Sequence, residues 1–110
     1  MTEKEKKFLS DILTSIELIE NFTKDLASFT DYQIDLKTKS AVERHLGIIG
    51  EAVNKFLKES EANHLKSASK IISLRNRLIH SYDNIDDSII WSILTRYLRP
   101  LKVEVKKKME

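Results

Sequence analysis

Apolar residues recur at three- and four-residue steps in four stretches of the chain, the spacing that lines up one face of an α-helix. In the first stretch Phe8, Ile12, Ile16, Ile19, Phe22 and Leu26 form one stripe, and Thr2 with Glu5 offers a capping box ahead of it. The spacing fails over SFTDYQIDLKTKS, residues 28–40, where Ser, Thr and Asp cluster, so a break is expected there. A second helix is predicted from about Thr38 to Lys58 on Val42, Leu46, Ile49, Val53, Phe56 and Leu57. It contains Gly47 and Gly50, each costing about 1 kcal/mol against alanine in an exposed helix, which suggests that another backbone or side chain packs closely there. The polar KESEANH follows, with Ser60 and Asn63 as candidate caps. A third helix should run from about Leu65 to Ser81 or Tyr82, and a fourth should follow Asp83, Asn84 or Asp86. The fourth carries Ile89, Ile90, Ile93, Leu94, Tyr97, Leu98, Leu101 and Val105; Pro100, lacking an N–H, should kink it or split off its last turns.

Composition strengthens this pattern. Only Gly 2 and Pro 1 occur in 110 residues, too few for strands separated by turns. The expectation is an all-α fold, an antiparallel bundle of four main helices forming a single domain over 1–110. A hydrophobic share of 41% and a charged share of 33% describe a soluble, folded chain. No stretch approaches the roughly 20 apolar residues of a membrane span, and MTEKEKKFLSD lacks the apolar core of a signal peptide, so a cytoplasmic address is expected. Cys 0 excludes disulfides, thiolate metal sites and cysteine nucleophiles. The net charge of +2 is too small to argue for nucleic acid in bulk, so any such case must be local. Lys102, Lys106, Lys107 and Lys108 in KVEVKKKME could meet phosphate, but they also suit the negative end of a helix dipole, the reading we favour.

The local case sits in RNRLIHSY, residues 75–82, on the third predicted helix. At about 100° per residue Tyr82 shares the direction of Arg75 to within about 20°, while His80 lies about 140° away, on the side of Asn76. The residue types suit cleavage of a phosphodiester. Histidine can move a proton near neutral pH, and arginine presents a fixed fork of donors to phosphate oxygens. A ribose 2′-hydroxyl could then attack the adjacent phosphorus without a metal, with Arg75 stabilising the charge that develops and His80 acting as base or acid. The same residues equally suit the exposed side and lid of a plain bundle helix, and geometry alone does not decide.

Arg75, four residues, His80, one residue and Tyr82 match the R-x4-H-x-Y signature of HepT-like toxins, members of the HEPN superfamily. RNRLIHSYDNID is similar to that family's third-helix ending throughout, and AVERHLGIIGEAVNKF, residues 41–56, resembles its second helix, including IIGEA. The resemblance implies a metal-independent endoribonuclease without a cofactor. Arg75 and His80 would be the catalytic pair, and the RNA substrate would be mRNA or tRNA; Asn76, on the His80 side of the helix, and Glu51 are read as supporting residues beside them. It also implies a homodimer in which two motifs share one cleft, and a toxin of a type II toxin–antitoxin pair. The antitoxin would be a minimal, MntA-like nucleotidyltransferase that can transfer AMP to Tyr82. The alternative it leaves is a non-catalytic helical subunit that docks such a nucleotidyltransferase. One departure is LKSASKIISLR, where the family often carries a tryptophan and a proline ahead of the motif arginine.

Among the remaining polar residues, Glu51 could orient Arg75 across the bundle or be a solvated or capping-type glutamate. His45 and His64 have no second metal ligand at suitable spacing and read as surface histidines, and Trp91 reads as a core or dimer-interface residue.

Overall fold

Thr2 and Glu5 open the first helix as a capping box: the Thr2 hydroxyl accepts from the Glu5 N–H at 3.1 Å and the Glu5 carboxylate accepts from the Thr2 N–H at 3.0 Å. The computed structural model describes residues 1–80 and 86–110, except for the side chains of 78–80. Helix α1 covers Glu3–Thr23 and buries Leu9, Ile12, Ile16 and Ile19.

The stretch expected to be a break contains a short helix, α2, Phe29–Ile34. Ser28 caps it through the Asp31 N–H at 3.2 Å, and Tyr32 goes fully into the core. Two turns are too short to show a helical period, which is why the polar cluster concealed it. Helix α3, Leu36–Glu59, starts at Asp35, whose carboxylate accepts from the Thr38 N–H at 3.0 Å. It runs antiparallel to α1: Lys4 pairs with Glu59 at 3.2 Å at one end, and Phe22 meets His45 at 5.7 Å between ring centres near the other.

Asn63, a candidate cap, closes α3 by donating to the Phe56 carbonyl at 2.8 Å, and it also donates to the Glu5 carboxylate. The chain then makes a tight turn over Lys66–Ala68 before α4, Ser69–His80. The turn is capped from a distance: the N–H groups of Lys66 and Ser67 donate to the Glu104 carboxylate at 2.9 and 3.0 Å. That satisfies donors that a helix start leaves without partners.

The fourth predicted helix is three pieces end to end: α5, Asp87–Ser92, a wider turn over Ile93–Tyr97, and α6, Leu98–Met109. Asp86 caps α5 through the Ser88 N–H at 2.9 Å. The disturbance expected at Pro100 lies ahead of it. The Leu98 N–H reaches back five residues to the Ile93 carbonyl, so Pro100 falls in the first turn of α6, where a missing N–H costs little.

One hydrophobic cluster joins all six helices, with Val42, Leu46, Val53 and Phe56 of α3 at its centre and Ile71, Ile90, Leu101 and Val105 from the later helices. Two half-buried ion pairs, both 2.7 Å, tie the last helices to the first ones: Lys39 to Asp87 and Lys102 to Glu20. Among the described residues no helix is long and apolar enough to cross a membrane.

Candidate active site

Arg75 is placed by a glycine. On α4, Ile71 and Leu74 point into the core and leave the neighbouring direction, that of Arg75, facing α3. There its aliphatic stem lies on the bare backbone of Gly50: a β-carbon added at Gly50 would stand 2.7 Å from Arg75 Cβ, 2.7 Å from Cδ and 3.1 Å from Cγ. Real β-carbons do not approach that closely, so the contact requires glycine. Arg75 is consequently half-buried, its stem held against α3. Of the two glycines singled out in this helix, Gly50 meets the expected close approach, whereas among the described residues Gly47 has nothing within 4 Å of a would-be β-carbon.

Asn76, next along α4, is exposed, and so is Arg77. His80 is the last residue of α4, and its side chain is outside the described residues. Tyr82 lies wholly outside them. Of the two readings of Glu51 the structure shows the solvated one: it is exposed and pairs with Lys55 at 3.1 Å one helical turn away. It borders a shallow cleft against Phe8 and Asp11 of α1.

The two other histidines divide. His64 is exposed, as expected. His45 departs from the surface reading: it is half-buried, shares a 3.1 Å hydrogen bond through Nδ1 with the buried Ser15 hydroxyl, and packs on Phe22. Burial, helped by the charge of Arg44, pushes its pKa down. The signal for this was Ser15 falling on the apolar stripe of α1. Trp91 packs at the core edge on Tyr32 at 5.8 Å and Phe29 at 6.3 Å. Among the described residues no cluster of three His, Asp or Glu could hold a metal ion.

The two sequence blocks that carry the family resemblance, around Gly50 and around Arg75, are thus in contact. The family described as ribonuclease HepT-like matches residues 12–107, nearly the whole chain. The chain belongs to the HepT-like ribonuclease family. It is similar to a probable ribonuclease HepT of Thermococcus cleftensis, 34% identical over 108 residues that cover 97% of each chain. Two Methanocaldococcus jannaschii proteins described as candidate RNases also match. One is 36% identical over 93% of this chain and 88% of its own length, the other 41% identical over 81% and 74%. No solved structure matches. The fold is therefore that of a HepT-like all-α bundle, and the Gly50–Arg75 contact is the geometry within which any chemistry of this family must operate here.

Proposed function

We propose that this protein is a single-domain, metal-independent endoribonuclease acting in the cytoplasm, with Arg75 and His80 as the catalytic pair. The observation that carries the proposal is the held position of Arg75. A guanidinium whose stem is clamped on Gly50 is a preorganised donor, and preorganised donors stabilise charge developing in a transition state better than mobile ones. In the reaction the ribose 2′-hydroxyl loses its proton to the His80 imidazole, and its oxygen bonds to the adjacent phosphorus. Arg75 stabilises the pentavalent phosphorane, the bond from phosphorus to the 5′-oxygen breaks, and that oxygen takes up the proton that His80 gained or one from water, giving a 2′,3′-cyclic phosphate and a 5′-hydroxyl. Asn76 supports the pair from the neighbouring position on α4.

Arg75 and position 80 are about 140° apart round α4, so one chain does not bring them together within a regular helix. A homodimer with facing copies of α4 resolves this, and the reading includes one. Sedimentation at micromolar concentration should give twice the chain mass; monomer alone would count against a shared cleft. Membership of the HepT-like family supports the further reading of a type II toxin held in check by a nucleotidyltransferase antitoxin that places AMP on Tyr82. An adenylate there would bring bulk and negative charge to the direction of Arg75, where an RNA phosphate would otherwise sit.

The test is cleavage of mRNA and tRNA by the purified protein in EDTA, beside His80→Ala, with product ends identified. Cyclic-phosphate products that disappear in the variant are expected. No cleavage by an unmodified dimer on either RNA would favour a docking subunit instead.

A further inference from the structure

A second cluster of basic and hydroxyl side chains lies on the other side of α4 from Arg75. Lys70, Ser73 and Arg77 are each about 140° to 160° round the helix from Arg75 and so share one face. That face looks across a cavity of about 300 Å³ to Ser88 and Ser92 of α5 and to Tyr97. Leu74, Ile89 and Ile93 form its floor. The volume is at the lower end of what small-molecule sites enclose, which suits one nucleotide-sized unit and little more.

The lining divides by chemistry. Lys70 and Arg77 bring two positive charges, and Ser73 and Ser92 bring hydroxyls that can donate to phosphate or ribose oxygens, while the Ser88 hydroxyl already donates to Asp86. Beneath them lie an apolar floor and a tyrosine ring, the two surfaces on which a base stacks. Among the described residues the lining holds no carboxylate. One acid nearby feels Arg77: Asp86. Its Oδ1 is already engaged, accepting from the Ser88 hydroxyl and N–H at 2.6 and 2.9 Å. These bonds, with a smaller contribution from Arg77, hold its carboxyl below the usual range. By register, position 80 follows Ser73 by seven residues, two turns further along the same side of α4. The pocket therefore belongs to the side of the helix on which the catalytic position falls, while Arg75 faces the other way.

We propose that this pocket is a nucleotide subsite for single-stranded RNA, in which Lys70 and Arg77 take a phosphate flanking the scissile one and the apolar floor with Tyr97 takes its base. The assignment rests on the ribonuclease reading for its biological sense, but its test does not. A fluorescent 2′-O-methyl RNA oligonucleotide, which cannot be cut by its own 2′-oxygen, is titrated against the full-length protein and against the Lys70→Ala/Arg77→Ala double variant at several salt concentrations. Both residues are exposed, so the variant should fold, and its circular dichroism should match the parent's.

The expected result is a Kd at least tenfold weaker. The slope of log affinity against log salt should also be shallower by about 0.7 for each phosphate that the variant no longer neutralises. Arg77→Lys, which keeps the charge, should retain most of the affinity that Arg77→Ala forfeits. An unchanged Kd and salt slope in the double variant would overturn the assignment. It would also be overturned if AMP bound in a manner abolished by the double substitution while oligonucleotide affinity stayed the same, since that pattern belongs to a free-nucleotide site. Cleavage of ordinary RNA by the parent is scored separately, so a protein that binds through this pocket but never cuts would refute the ribonuclease reading alone.

Discussion

Gly50 of α3 and Arg75 of α4 touch so closely that a β-carbon on the first would lie 2.7 Å from two carbons of the second. The contact joins the IIGEA stretch to the RNRLIHSY stretch and makes a backbone surface into the support for a functional side chain. It gives the glycine a purpose that its helix propensity argues against.

Gly50→Ala should therefore behave unlike an ordinary glycine-to-alanine change in a helix. Overpacking of this kind costs about 1–3 kcal/mol, and the stem of Arg75 has to move. We expect a folded protein with lowered thermal stability and kcat reduced at least tenfold. Gly47→Ala is the matched control: with nothing within 4 Å among the described residues, it should gain about 0.5–1 kcal/mol from helix propensity and leave activity alone. Thermal melts and kcat for both variants check the pair; equal behaviour would remove Gly50 from the site.

How much of this is legible in the sequence varies by residue. The long helices and the core stripe are readable, because Leu46, Ile49, Val53 and Phe56 repeat over many turns. The glycine spacing also announces a close approach, but the pattern along one helix carries no information about which residue of another helix makes it. Asn63 and Glu104 show the same limit. Asn63 is recognisable as a capping residue, but its local sequence does not say which flanking helix it serves; it closes the one before it. Glu104, at the far end of the chain, caps the turn into α4, a tertiary contact that local sequence cannot show. Arg77 lies in plain view inside the motif, yet nothing local singles it out, because its importance depends on α5 standing opposite.

Tyr32 is fully buried, and its hydroxyl has no hydrogen-bond partner among the described residues. Burial, with Glu43 and Asp87 adding to it, pushes its ionisation far upward, so the group stays neutral. An unsatisfied buried polar group costs about 1–3 kcal/mol. Tyr32→Phe keeps the ring on Trp91 and should leave stability unchanged or raise it by up to that amount in denaturant unfolding. A clear loss would mean that the hydroxyl has a partner.

Glu104→Ala should loosen the entry to α4 by leaving the Lys66 and Ser67 N–H groups without their acceptor. Loss of a helix-start cap costs about 0.5–2 kcal/mol. Hydrogen exchange should accelerate at the start of α4 more than in α1, a local signature that a general loss of stability would not give.

His45 predicts a pH dependence with a definite sign. Its folded-state pKa lies below the ordinary value because burial opposes the charged form. The unfolded chain consequently binds the proton more readily, and stability rises with pH across the interval between the two values. The contribution is present above about pH 6.5, the ordinary histidine value, and is lost as pH falls through the folded pKa. In His45→Gln the dependence of the melting temperature on pH over that interval should flatten; an unchanged slope would assign it to other groups.

The most direct test of the central claim is the cleavage rate of Arg75→Ala at saturating RNA in EDTA, beside the parent and at matched helix content. Loss of a preorganised charge-stabilising donor should lower kcat by about 10² to 10³ while the bundle stays folded. Cleavage at the parent rate would contradict the assignment and return Arg75 to the role of a packed surface side chain.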